Sequence, residues 1–145
     1  MGAKPLSVAL PTMPGMGNVT VVDETTAGGR VGAWELTLPE ERLPLRELIC
    51  RRVRHEVERY NAASGDVFHG LVQPTGTERL LNGYRVRERR EIDADEQCRL
   101  ALEAFGRNGF LVLVGESQVE DLEAEIELTP GVTMAFLRLV PLVGG

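Results

Sequence analysis

Val132-Thr-Met-Ala-Phe-Leu-Arg-Leu-Val-Pro-Leu-Val-Gly-Gly145 sets the terms on which the rest of the chain is read. Its first part is an apolar run of strand-forming residues. Pro141 then interrupts the run, and the sequence finishes on Gly144-Gly145. Two glycines give the thinnest and most flexible ending a polypeptide can carry, one able to enter a narrow channel in a partner enzyme. The group available for chemistry there is the terminal carboxylate of Gly145.

Moving outward from that ending, 145 residues with 43% hydrophobic and 26% charged residues suit one folded domain with a sizeable core. A net charge of -6 argues against a general nucleic-acid binder, and no apolar run approaches the length of a membrane span. Met1 to Leu10 lack the charged start, long apolar middle and cleavage site of a secretory signal, so a cytoplasmic protein is expected. Cys50 and Cys98 are not in metal-ligand spacing and read as reduced thiols on two helices; no metal site is expected. Lys4 is the only lysine, against fifteen arginines.

Residues 1–17, rich in proline and glycine without a sustained period, read as a mobile leader. Asn18 to Thr26 and Val31 to Leu38 read as two strands of a hairpin, with Trp34, Leu36 and Leu38 on one face. From Leu45, the positions Leu48, Ile49, Val53, Val57 and Tyr60 recur at helical spacing. Arg46, Glu47, Arg51, Arg52, Arg54, Glu56, Glu58 and Arg59 are assigned to the outer surface of this helix, and His55 to its solvated part. His69 reads as packing or hydrogen bonding, with no second histidine or base expected at hand. The basic run Arg85, Arg87, Arg89 and Arg90 reads as a solvated face, or else as a docking surface for an acidic partner.

Asp93-Ala-Asp-Glu96 has the form of a helix cap, and Cys98, Ala101, Leu102 and Phe105 make a second helical stripe closed by Asn108-Gly109. Phe110 to Val114 is a strand apolar on both faces, and Gln118-Val119 a shorter one. Glu120 to Glu127 is expected to form a helical turn with Leu122 and Ile126 inward. Thr129-Pro130-Gly131 turns the chain into the last strand.

The blocks Phe110 to Gly115, Gln118 to Asp121 and Thr129 to Gly145, in this order of elements, resemble the ubiquitin-like β-grasp proteins. The likeness is to the ubiquitin-like modifiers of bacterial ubiquitination-like operons. The ending VPLVGG is also similar to the tails of the molybdopterin-synthase small subunit and of the thiamin-pathway sulfur carrier. The resemblance implies an α+β fold, a mixed sheet of four or five strands on one long helix. It spans 18–62 and 109–145; residues 63–108, with the second helix, form an insertion that ubiquitin lacks. The domain would run over 18–140 and the tail over 141–145.

What the resemblance implies for function is activation of Gly145, presented by Gly144, by an E1-like enzyme that uses ATP. Pro141, Leu142 and Val143 would be recognised by that enzyme. The acyl group would pass to an E2-like protein and then to a target protein or other acceptor, with a deconjugating protease reversing the step. Met134, Phe136 and Arg138 are a candidate partner surface, and Lys4 the candidate acceptor for chains. No catalytic side chain and no bound cofactor are expected, nor a nucleic-acid or membrane partner. Two other readings stay open, a sulfur carrier that forms a C-terminal thiocarboxylate and a β-grasp binding module that is not conjugated.

Overall fold

The computed structural model describes residues 17–26, 29–80 and 83–139. Alternating burial runs along β1 (Gly17–Thr25), where Val19 and Val21 point into the core while Asn18 is exposed. The same period places Leu36 and Leu38 of β2 (Gly29–Leu38) beside them, and the two strands pair antiparallel with an irregularity between Asp23 and Glu24. After the short β3 (Arg42–Pro44), Pro44 stands at the N-cap of α1 (Leu45–Ala62), where its missing N–H leaves no orphan donor. Leu45, Leu48, Ile49, Val53, Val57 and Tyr60 are the buried apolar stripe of α1.

The inserted region holds β4 (Val67–Phe68), β5 (Thr77–Leu80), β6 (Gly83–Val86) and α2 (Ala94–Gly106). The three strands make a small sheet in the order β4-β6-β5, which the sequence did not announce. Asp93 caps α2 by accepting from the N–H groups of Asp95 and Glu96. Asn108, at φ 62°, turns the chain out of that helix, and Gly109 donates its N–H to Ala104 O at 2.7 Å.

β7 (Phe110–Val114), β8 (Ser117–Val119), β9 (Glu125–Glu127) and β10 (Thr133–Arg138) follow. Of residues 120–127 only 121–124 close a turn, Ala124 donating its N–H to Asp121 O at 3.0 Å; Leu122 and Ile126 do face the core, but residues 125–127 are extended. Glu125, Ile126, Glu127 and Leu128 alternate exposed and buried, and β9 pairs antiparallel with β3, setting Ile126 opposite Leu43. Gly131, at φ 84°, sits in the turn that feeds β10.

The main sheet is five-stranded and mixed, in the order β2-β1-β10-β7-β8. β10 is its central strand. It runs parallel to β1, from Thr20 opposite Thr133 to Thr25 opposite Arg138, and antiparallel to β7. First and last strands can be parallel neighbours only because the chain crosses over through α1, which covers one face. The fold is therefore α+β, with two helices and a mixed sheet among the described residues.

α2 extends the helical layer instead of closing the far side of the sheet. Phe68, Leu71, Tyr84, Val86, Ile92, Cys98, Ala101 and Ala104 from the insertion share one core cluster with the buried face of α1 and with Met134 and Phe136. Cys98 donates to Cys50 O at 3.6 Å, and burial, with Cys50 beside it, pushes its thiol up to about 12.

Arg89 of the basic run is structural. Its guanidinium lies 4.1 Å from the Tyr60 ring centroid and donates to Tyr60 O at 3.0 Å and Ala63 O at 2.6 Å. These are carbonyls at the C-terminal end of α1, where a cation also complements the helix dipole. Arg90 donates to Thr75 O, so two of the four arginines hold the insertion together. Replacing Arg89 with alanine is expected to cost about 1–2 kcal/mol, the sum of one cation–π contact and carbonyl hydrogen bonds. Chemical denaturation measures it, and a wild-type midpoint for Arg89→Ala would contradict the capping role.

Candidate functional site

β10 leads directly into the expected tail. Thr26 donates its N–H to Arg138 O at 3.1 Å, and Leu139, the last described residue, donates to Gly109 O at 3.3 Å. Arg138 reaches sideways and donates from Nη1 to Gly70 O at 3.3 Å. Backbone pairing on both sides thus fixes the strand up to the point where Val140 begins. Pro141, Leu142, Val143, Gly144 and Gly145 lie outside the described residues, as does Lys4.

The candidate partner surface formed by Met134, Phe136 and Arg138 is corrected by the structure. Met134 and Phe136 are each 1% exposed under α1, and Phe110 packs on Phe136 at 6.0 Å between ring centroids. Strand alternation sends Ala135 and Leu137 to the opposite face. They lie there with Val22 of β1 and with Leu111 and Leu113 of β7, none of which belongs to the core cluster. Val22 is buried, Ala135, Leu137, Leu111 and Leu113 are half-buried, and Leu139 beside them is 40% exposed. The insertion packs on the helix side and does not cover them. An apolar sheet face of this kind suits a protein partner.

A second feature sits at the end of the sheet where β1 and β10 finish. Arg52, assigned from sequence to the outer surface of α1, is 3% exposed. Its Nη1 and Nη2 donate to the two carboxylate oxygens of Asp23 at 2.5 and 3.0 Å, and its Nε donates to Glu56 Oε2 at 2.9 Å. Nη2 also bonds Glu56 Oε2. The guanidinium lies 4.5 Å from the Phe136 ring centroid and 5.7 Å from that of Trp34. Glu56 Oε1 accepts from the Leu71 N–H at 3.1 Å, bringing the insertion into the same network. One side chain thereby ties α1 to β1, β2 and β10.

One guanidinium serves two carboxylates. Burial pushes the Glu56 carboxyl up, Arg52 pulls it back, and the neighbouring Asp23 charge adds to the rise. Burial acts to lower the Arg52 pKa, but Glu56 and Asp23 outweigh it, so the guanidinium stays charged. Because the folded-state pKa of Glu56 is raised, the carboxyl contributes stability in full below the ordinary carboxylate range, and that contribution is lost as pH rises through the raised value. The stability of the native chain minus that of Glu56→Gln should therefore fall with increasing pH above the ordinary carboxylate range. Denaturant titrations of both proteins across pH measure this difference, and a flat or rising one would contradict the assignment.

The histidines, read separately from sequence, come together around this network. His55 stacks on Trp34 with ring centroids 5.0 Å apart and planes 13° from parallel. His69 lines the same cleft. Helical spacing carried part of the signal, since Arg52 follows Leu48 by four and Ile49 by three and so falls on the inward stripe, with Glu56 one turn later. Asp23 shares strand parity with the buried Val19 and Val21. Among the described residues no three His, Cys, Asp or Glu side chains are gathered to hold a metal ion, and no helix is long and apolar enough to cross a membrane.

Comparison of the chain with family models, with curated proteins and with solved structures finds no match.

Proposed function

We propose that this protein is a ubiquitin-like modifier of β-grasp type, conjugated through the α-carboxylate of Gly145. The observation that supports it most is the place of β10, central in the sheet and parallel to β1, with α1 across one face and the segment Pro141-Leu142-Val143-Gly144-Gly145 following directly. A terminus placed there is held by two neighbouring strands up to Leu139, and the sequence ends on two glycines, small enough to thread a channel. The reading requires Gly145 to carry the free carboxylate in the mature protein, whether as encoded or after processing.

A carboxylate is ionised at neutral pH and a poor electrophile. An E1-like partner would let its oxygen attack the α-phosphorus of ATP, releasing pyrophosphate and forming an acyl-adenylate. A thiolate of that enzyme would then attack the carbonyl carbon, expelling AMP and leaving a thioester for an E2-like protein and finally an acceptor. The chain is the substrate in these steps and supplies no catalytic side chain. The half-buried apolar sheet face around Ala135 and Leu137 is the surface such partners would grip while the tail is processed.

The test is incubation with an E1-like enzyme and ATP, followed by intact-mass measurement. The expected product is an enzyme-linked thioester, cleaved by hydroxylamine or by acyl transfer to excess free thiol. A free chain heavier by the difference between sulfur and oxygen would indicate the sulfur-carrier reading, and an unchanged chain a binding module. Neighbouring genes separate the same readings, an E2-like protein and a metalloprotease pointing to conjugation.

A further inference from the structure

Between the C-terminal half of α1, the outer strand β2 and the segment after β4 lies a cleft of about 500 Å³, well within the range of small-molecule sites. We propose that it binds a small flat anion, a ring system bearing one carboxylate or phosphate. This is independent of the modifier reading, which assigns the cleft no role.

Charge is the first argument. The lining holds three guanidiniums, Arg52, Arg59 and Arg138, and two carboxylates, Asp23 and Glu56, a formal balance of 3 - 2 = +1 in a chain whose net charge is -6. Both carboxylates are engaged by Arg52 and have little to offer a cation. Arg59 has no hydrogen-bond or ion-pair partner among the described residues, and Arg138 spends one N–H on Gly70 O. A guanidinium presents paired donors matched to carboxylate or phosphate oxygens.

Shape and polarity give the second. The Trp34 and His55 rings, stacked nearly parallel on each other, line the cleft with aromatic carbon on the side of α1. Tyr60, also in the lining, carries the only buried side-chain polar atom without a hydrogen-bond partner among the described residues, its hydroxyl oxygen. That oxygen is closed off from solvent, so the polar contacts the cleft offers a ligand are those of Arg59 and Arg138.

Trp34 is the chain's only tryptophan, so fluorescence excited at the red edge of tryptophan absorption, where tyrosine is silent, reports on this cleft. The full chain would be titrated with adenosine 5′-monophosphate and with benzoate, and separately with adenosine and with inorganic phosphate. A saturable change with at least one of the ring-bearing anions is expected, with dissociation constants at or below about 1 mM and at least about tenfold tighter than for adenosine or phosphate. Arg59→Ala, an exposed change that leaves the core untouched, should weaken that binding about tenfold while the melting temperature stays put. No saturable response to either anion would overturn the proposal. So would an equal response to phosphate alone, or unaltered binding by Arg59→Ala.

Discussion

A chain ending at Val143 is expected to show no E1-dependent exchange of pyrophosphate into ATP, while melting at the temperature of the full chain. The two halves of this result have separate causes. Activation needs the carboxylate oxygen in line with the α-phosphorus, and removing two residues withdraws that carboxylate from the reaction centre by the length of two peptide units. Because a displacement of about 1 Å can cost about a hundredfold in rate, the loss should be complete within the assay. Gly144→Val should behave similarly, by at least about a hundredfold, since a β-branched side chain fills a channel sized for glycine and restricts the backbone. Stability should be untouched, because the glycines have no side chains to bury and the sheet's described hydrogen bonds end at Leu139. Normal adenylation of the truncated chain would sink both the modifier and the sulfur-carrier readings.

The parts of the fold legible in the sequence were those in which one periodicity acted alone. Trp34, Leu36 and Leu38 alternate with polar residues and could only be a strand covered on one side. Leu48, Ile49, Val53, Val57 and Tyr60 could only be a helix stripe. The errors fall where two signals competed. Leu122 and Ile126 are spaced for a helix, while Ile126 and Leu128 are spaced for a strand; pairing of β9 with β3, distant in sequence but adjacent in space, favoured the strand. Tyr84 and Val86 alternate with Arg85 and Arg87, a strand pattern that the density of charge concealed. In β10 both parities are apolar, so alternation alone could not say that Met134 and Phe136 face α1 and that Ala135 and Leu137 face outward. That choice is made by the register with β1 and β7. The insertion's place beside α1 also depends on tertiary contacts, Cys98 and Ala101 against the helix, which no local pattern encodes.

The cluster around Arg52 was misassigned for a different reason, that charge was read as a sign of exposure, and it carries the largest stability effect expected in the molecule. Arg52→Ala should destabilise the protein by about 3–5 kcal/mol, because two carboxylates would be left beside each other without a cation. In a chain of this size that lowers the melting temperature on the order of 10 °C. Arg52→Lys should recover only part of the loss. An ammonium is a single point charge, and it cannot present the planar fork that donates to both oxygens of Asp23 and to Glu56 at once. The comparison that isolates the cause is the triple variant Arg52→Met, Asp23→Leu, Glu56→Leu, which removes cation and anions together. Buried ion clusters replaced whole by apolar residues of similar size are often neutral or stabilising, so the triple variant should be more stable than Arg52→Ala despite carrying more changes. Its cost should appear in specificity. Asp23, Arg52 and Phe136 hold α1 in one register over the ends of β1 and β10, the strand that delivers the tail, and apolar side chains have no comparable directional preference. Amide hydrogen exchange at Leu137 to Leu139 should therefore speed up in the triple variant even where its global stability equals that of the native chain. An Arg52→Ala protein within about 1 kcal/mol of the native chain would mean that the network does not form in solution.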